Sequence, residues 1–512
     1  MMSNLLRLAR AMGAAIVLAI AGVPAAHAAD CADLANLNIN ETNLLSAATV
    51  PAKAPLPEYC RVLGYVRPAI NFEIRLPTKD WNGKFLMAGC GGFCGTLDSD
   101  NMTLTNGSNI GLMRNYATVS MDSGHWGASL ADGRWAYNSL VPKFDWGQRA
   151  VTMTARITKT VIESYYGKPP SKSYFNGCST GGRMAHMEAW KYPEDFDGII
   201  SGAPAVDYTG LVATFFAWVT QANTGPDGKP ILAPSKVKLV EEAVNKACAD
   251  QDGVVQDPRK CSFKPASLKC QADGGAECLS AAEVAVLEKW YGGAKNSKGE
   301  QLYPGGVPLG SEAYWPLWLT GLPTGQGALI PAFGNDFVRY MAFEPDPGPS
   351  YNLLKFDFDV DPPRLKTMAT IYNSTDPDLS KFKARGGKML MYQGWADAIV
   401  TPAMTVDYYE AVENKSGGRE ATQSFVRLFM LPGVDHCGIQ PGPGADRRGF
   451  DPLTALEQWV EHGVPPATLL TAKRDKDGNT LWSRPVCPYP QVASFRGSGD
   501  RNDPGSYACA GP

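Results

Sequence analysis

Histidine is scarce in this sequence: 512 residues contain five, and one of them, His27, falls in a leader-like N-terminus. With four left, few can serve as a base in catalysis. No basic block occurs and the net charge is −3, which argues against nucleic acid as a partner. No apolar run beyond the N-terminus is long enough to cross a bilayer, so no membrane span is expected. Internal repeats are also missing. The N-terminus itself has Arg7 and Arg10 ahead of an apolar run from Ala11 to about Val23, closed by Pro24. Ala26-His27-Ala28 follows as a small-x-small cleavage site. Asp30 before Cys31 argues against lipid attachment. Residues 1–28 therefore read as a signal peptide cleaved near Ala28, giving a secreted or periplasmic protein of net charge −5.

Twelve cysteines remain after such cleavage, an even number in an exported chain, and a disulfide framework is the default. Neighbours in sequence suggest Cys31/Cys60, Cys90/Cys94, Cys248/Cys261, Cys270/Cys278 and Cys487/Cys509. That leaves Cys178 and Cys437, and spacing alone leaves the connectivity open. A composition of 44% hydrophobic and 19% charged residues suits one large α/β domain with an insertion, or two domains.

The stretch Ser173–Pro193 (SYFNGCSTGGRMAHMEAWKYP) reads as strand, sharp turn and helix. Gly177-Cys178-Ser179-Thr180-Gly181 is a G-x-S-x-G elbow, in which glycines allow a turn tight enough to lift one serine hydroxyl above a sheet. A helix starting beside Ser179 would aim free N–H groups at an oxygen above it. The plain alternative is a Gly/Ser turn between two elements.

Other segments fit around this one. Tyr59–Val66, Asn71–Leu76, Lys84–Ala88 and Tyr116–Met121 have strand patterns, while Cys31 to Cys60 begins irregularly. Gly89–Gly95 is a glycine-rich turn after an early strand, where bare backbone can approach a reacting carbonyl. Phe144–Tyr166 has helical periodicity, and Phe196–Ala203 reads as a strand. This alternation predicts a mostly parallel sheet covered on both faces. The rhythm stops near Ala205 and resumes at Lys388–Gln393. Between them lie four cysteines, many Gly and Pro, and clustered aromatics, which predict an inserted lid over 205–379, stapled by Cys248–Cys261 and Cys270–Cys278. The catalytic α/β domain then comprises 29–204 and 380–512. Ala403–Asn414 and Asp451–His462 read as helices and Phe425–Leu431 as a strand. The tail holds Cys487 and Cys509, which would tie it down.

Asp397 follows one of these strands and His436 the next. The order Ser179, Asp397, His436 is nucleophile, acid, base as in an α/β-hydrolase. In that scheme the histidine takes the serine proton and the aspartate fixes the imidazole tautomer. Of the other histidines, His125 ends a strand and is a candidate neighbour of the site. His186 reads as packed on the elbow helix, and His462 lies in a terminal helix. Asp435 adjoins His436 and is the weaker candidate acid.

Gly177–Gly182, YPEDFDGIISGAPA over 192–205, GWAD at 394–397 and DHCG at 435–438 resemble the tannase/feruloyl esterase family. The family contains fungal feruloyl esterases, tannases and a terephthalate-monoester hydrolase. The resemblance covers nearly the whole mature chain. It implies an α/β-hydrolase fold with a large inserted lid domain, a Ser179–Asp397–His436 triad, and a disulfide between Cys178 and Cys437. It also implies oxyanion donors from the backbone of Thr180, Gly91 and Gly92. The family's lid commonly holds structural calcium (Ca2+) in an Asp/Gly loop between two cysteines. Carried over, its ligands would be Asp250, Asp252, Val254 and Asp257, although this loop is shorter than the family's usual form.

The reading that follows is a secreted serine esterase acting on esters of small aromatic acids, feruloyl or galloyl in type. Val400, three residues past Asp397, replaces the aromatic expected of a terephthalate-monoester hydrolase and disfavours that alternative. A non-catalytic binding protein on the same scaffold is disfavoured by the intact Ser/Asp/His set. An amidase or peptidase would share only the triad.

Overall fold

The computed structural model describes residues 30–97, 107–271, 275–322, 324–446 and 449–511. The leader and its cleavage site lie outside the described residues. Neighbouring strand residues point to opposite faces, and this alternation sorts the core in two. Phe85, Met87, Phe175, Ile199, Met389 and Met391 join one apolar cluster. Their neighbours Leu86, Tyr174, Ile200 and Leu390 join the other. Strands apolar on both faces belong in the middle of a covered sheet.

The strands are β1 (Thr42–Val50), β2 (Tyr59–Val66), β3 (Ile70–Pro77), β4 (Lys84–Ala88), β5 (Ala117–Met121), β6 (Lys172–Cys178), β7 (Gly198–Gly202), β8 (Lys388–Gly394) and β9 (Val426–Leu431). They form one sheet in the order β1-β2-β3-β5-β4-β6-β7-β8-β9. The pairings from β5 to β9 are parallel. Those from β1 to β5 are antiparallel. The order reverses between β4 and β6, whose carboxyl ends carry the glycine turn and the serine elbow. Ligands of open α/β sheets bind at such a switch point. The α/β-hydrolase-type architecture is the one expected.

Three details differ from the sequence reading. The irregular start contains β1, an edge strand with no continuous apolar run and a register shift between Leu44 and Ser46. The tail forms two hairpins, β10 (Leu469–Arg474) with β11 (Thr480–Val486) and β12 (Val492–Phe495) with β13 (Tyr507–Ala510). The helix expected over 144–166 is divided: a wider π-type turn, Asp145–Arg149, precedes α1 (Ala150–Tyr166).

Helix α2 (Thr180–Lys191) leaves the elbow, and α3 (Pro402–Ser416) and α4 (Pro452–His462) complete the layers. Helix α4 starts where it does because Asp451 caps Thr454 N–H and Pro452 supplies a first-turn residue with no N–H to satisfy. Between β7 and β8 the chain is helical, with no strand named among the described residues. Trp290 and Trp315 pack edge-to-face at 5.1 Å in the core of this segment.

Two disulfides staple that segment, Cys248–Cys261 and Cys270–Cys278. The Cys270–Cys278 loop is held further by Lys236, whose Nζ donates to the Cys278 carbonyl at 2.7 Å. In the tail, Cys509 lies on β13 opposite Ala493 and is bonded to Cys487, which follows β11. The bond ties the last hairpin to the one before it.

Every residue of α2 from Thr180 to Ala189 is buried. Arg183 has no carboxylate partner among the described residues. Its guanidinium donates to the carbonyls of Gly147, Trp146 and Tyr372 and lies 4.1 Å from the Trp146 ring centroid. Two of those carbonyls belong to the wide turn at 145–149. His186 is also fully buried, and desolvation lowers its pKa from 6.5 to about 3. Between those values the unfolded chain binds a proton that the folded chain refuses. Its contribution to stability is therefore present above pH 6.5 and lost as pH falls, by about 1.4 kcal/mol per unit. Urea midpoints at pH 7 and pH 5 should fall with acidity, and His186→Leu should flatten that slope. An unchanged slope would show that His186 is protonated in the fold.

Candidate active site

Ser179 follows β6 at φ 65° and ψ −120°, a conformation that costs a non-glycine residue of order 1–3 kcal/mol. The turn is possible because Gly177 has no side chain: a Cβ there would lie 2.5 Å from the Gly181 carbonyl oxygen. Thr180 heads α2, so its N–H has no acceptor within the helix.

The glycine turn approaches from β4. The Gly91 carbonyl accepts from Cys94 N–H at 2.9 Å. Because the peptide is planar, the Gly92 N–H points the opposite way, and it has no backbone acceptor among the described residues. Gly92 itself sits at φ +56°, and a Cβ there would lie 2.5 Å from Leu130 O. A side chain at this position would push the turn off the cleft.

The histidine and its acid are held more completely. His436 Nδ1 donates to Asp397 Oδ2 at 2.7 Å, and both residues are buried. Asp397 Oδ2 also accepts from Gln393 Nε2 at 2.9 Å. Asp397 Oδ1 accepts from the N–H groups of Ile399 and Val400 at 3.0 and 2.8 Å. Thr405 Oγ1 donates to Gln393 Oε1 at 2.9 Å, fixing the amide orientation. Asp435 contacts neither imidazole nitrogen. Its Oδ2 accepts from Gln440 N–H, and burial raises its pKa to about 7.

A disulfide joins Cys178 to Cys437 with a Cα separation of 6.1 Å, placing the elbow beside the histidine loop. The pairs local in sequence are bonded as well: Cys31–Cys60, Cys90–Cys94, Cys248–Cys261, Cys270–Cys278 and Cys487–Cys509. Ser179, Thr180, Gly91, Gly92 and His436 line one cavity of about 290 Å³. Of the twelve cysteines only Cys437 is in its wall. Cys278 and Cys509, with their partners Cys270 and Cys487, are structural staples of the insertion and the tail and take no part in the site. The cavity walls include Phe216, Trp318 and Phe333 from the helical insertion. Trp318 meets the His436 ring edge-to-face at 5.6 Å.

His125 is not in this cavity: it stacks on Trp135 at 3.7 Å, and burial lowers its pKa to about 4. His462 ends α4 and is not in the cavity wall. Gln393 and Thr405 were missed by the sequence reading. The available signal was a glutamine closing the otherwise apolar run KMLMYQ, since a buried polar group needs partners. A larger cavity, about 460 Å³, lies between the 248–261 loop and the tail. It contains neither Ser179 nor His436.

The 248–261 loop does not fit a calcium cage as arranged. Asp250 Oδ1 accepts from the N–H groups of Asp252 and Val254 at 3.0 and 3.1 Å. Asp475 makes the same turn with the N–H groups of Asp477 and Asn479. Asp252 pairs with Arg484 at 3.0 Å and Asp257 with Arg259 at 2.7 Å. Among the described residues no group of three or more His, Cys, Asp or Glu gathers to hold a metal.

The family model for tannase and feruloyl esterase matches residues 57–510. The chain belongs to this family. Members of the tannase and feruloyl esterase family are carboxylic ester hydrolases, and so is this protein. It is 32% identical to mono(2-hydroxyethyl) terephthalate hydrolase of Piscinibacter sakaiensis over 91% of this chain and 87% of that protein. It is 32% identical to a probable feruloyl esterase of Arthroderma benhamiae over 87% of this chain and 83% of that one. The crystal structure of feruloyl esterase B from Aspergillus oryzae superposes with a TM-score of 0.80 at 26% identity, covering 93% of this chain and 98% of that one.

Two tests follow. Replacing Cys178 and Cys437 together by serine should lower kcat by on the order of 10²-fold with the circular dichroism spectrum preserved, because small misplacements of reacting groups are costly. Unchanged kcat would show that the bond does not position His436. Elemental analysis should find no stoichiometric calcium, with EDTA leaving the melting curve in place. One calcium per chain and a chelator-sensitive Tm would instead reinstate Asp250, Asp252, Val254 and Asp257 as ligands.

Proposed function

We propose that the protein is an exported serine esterase that hydrolyses esters of small, uncharged aromatic carboxylic acids through an acyl-enzyme. The observation that carries the reading is the convergence of an elbow serine, an aspartate-bonded histidine and free backbone donors on one apolar cavity. His436 accepts the Ser179 proton as the hydroxyl oxygen attacks the ester carbonyl. The Thr180 and Gly92 N–H groups receive the oxyanion, with Gly91 beside them. Collapse expels the alcohol, which takes its proton from His436. Water, deprotonated by the same imidazole, then attacks the acyl-enzyme, and the Ser179 oxygen leaves with that proton as the acid is released. Asp397 keeps Nδ1 protonated throughout.

The cavity walls support the choice of acyl group. No Asp, Glu, Lys or Arg is among the described residues lining it, and Phe216, Trp318 and Phe333 offer aromatic surfaces. An acyl group bearing a second carboxylate would lose its hydration there with no cation to replace it. The terephthalate-monoester relative keeps that substrate as the second reading. The helical insertion over 205–379 supplies these walls, which supports its role as a lid. Six disulfides suit an oxidising compartment and support export.

Purified protein should hydrolyse methyl ferulate and related neutral aromatic esters faster than a terephthalate monoester. Ser179→Ala should lose on the order of 10⁴-fold or more in kcat, and adding His436→Ala should cost little further. Preference for the terephthalate monoester would reverse the assignment of acyl group. A folded, active Ser179→Ala protein would remove Ser179 as nucleophile.

A further inference from the structure

We propose that the side-chain hydroxyl of Thr180, as distinct from its backbone N–H, sets the spacing of the two oxyanion donors by holding the Gly92 carbonyl. The inference rests on Ser179 being the nucleophile. Donors contributed by two different loops act together only if their separation is fixed before the reaction begins. One donor is the Thr180 N–H on the elbow after β6. The other is the Gly92 N–H on the turn after β4.

Thr180 Oγ1 donates to Gly92 O at 2.6 Å across 88 residues of sequence. Threonine in a first helical turn commonly bonds backbone groups nearby. Here the hydroxyl spans the cleft instead. Thr180 is 1% exposed, and a buried hydroxyl needs a protein partner.

The two peptide units flanking Gly92 are held in different ways. The first has its Gly91 carbonyl bonded to Cys94 N–H, inside a turn stapled by Cys90–Cys94. The second has its Phe93 N–H bonded to Leu130 O at 2.8 Å. These bonds give the turn its shape, and neither reaches the elbow. The Thr180 hydroxyl supplies that link. Tyr208 supports it at longer range, its hydroxyl 3.4 Å from both Thr180 Oγ1 and Gly92 O. Valine at 180 would keep the β-branched shape and remove the donor.

Thr180→Val and Thr180→Ser test the proposal on a neutral aromatic ester. Thr180→Val should lose on the order of 10- to 100-fold in kcat, less than deletion of an oxyanion donor outright, with KM changed by less than about twofold. Thr180→Ser keeps a hydroxyl and should recover most of the loss. An arylboronic acid, which forms a tetrahedral adduct on the serine, should bind Thr180→Val more weakly in step with kcat/KM. Inhibition by the free aromatic acid should stay as in the wild type. If Thr180→Val fails to fold, Thr180→Ala compared with Thr180→Ser gives the same contrast. Wild-type kcat without the hydroxyl, equal impairment of the serine variant, or a loss confined to KM would overturn the proposal. An inactive Ser179→Ala control alongside any of these would leave the serine mechanism standing. An active control would remove the reading beneath both.

Discussion

The geometry of the site depends on the histidine loop being drawn back to the serine elbow. Strands β6 and β9 are three places apart in the sheet, about 14 Å at the usual spacing of neighbouring strands. Cys178 and Cys437 nonetheless have Cα atoms 6.1 Å apart. The loop after β9 must therefore fold over the ends of β7 and β8. Ser179 and Cys437 both adopt positive φ, 65° and 55°, so conformational strain accompanies this approach on both sides of the bond. Closing a loop of 259 residues is worth roughly 5 kcal/mol in the chain-entropy model, an upper figure because other disulfides already restrict the unfolded chain. A contribution of a few kcal/mol is of the same order as the strain of two such residues, and the bond holds the histidine loop beside the elbow.

The environment of each carboxylate explains why one aspartate and not its rival orients the imidazole. Asp397 receives four donors: two backbone N–H groups, the Gln393 amide and His436. These donors leave neither oxygen of the buried carboxylate without a partner and hold it in one orientation. Asp435, directly beside His436, has a backbone donor on one oxygen and none on the other, and burial raises its pKa. Sequence adjacency put it next to the histidine, but the chain direction there carries its carboxylate away from the ring.

Much of this was legible before the fold was known, for reasons of range. The G-x-S-x-G turn, the apolar strands and the loops bearing Asp397 and His436 are set by residues within a few positions of one another. The same holds for staples such as Cys270–Cys278, eight residues apart, and Cys487–Cys509, twenty-two apart. The edge strand β1 was not legible, since it rests on pairing with β2 more than on apolar content. The break before α1 was hidden for a different reason. Its sequence is helical, and the wide turn at 145–149 becomes intelligible once Arg183, more than thirty residues on, is seen to take the carbonyls of Trp146 and Gly147. The calcium expectation rested on a pattern that has two readings. An Asp two residues before Asp-Gly is equally the signature of a side-chain-capped turn, and Asp475 makes that turn in the tail.

The site thus divides by origin. The polar groups gathered at the cavity, Gly92, Ser179, Asp397 and His436, come from the ends of β4, β6, β8 and β9, where backbone hydrogen bonds and a disulfide hold them. Much of the apolar wall facing the substrate comes from the helical segment between β7 and β8. Phe216, Trp318 and Phe333 reach the cavity from there, while Trp290 and Trp315 hold that segment's own core. Changes in the wall can therefore alter which acyl group fits without moving the Asp397–His436 pair. Trp318 is the exception, because its ring touches both the substrate space and the imidazole. A change at that residue would therefore reach the histidine as well as the wall.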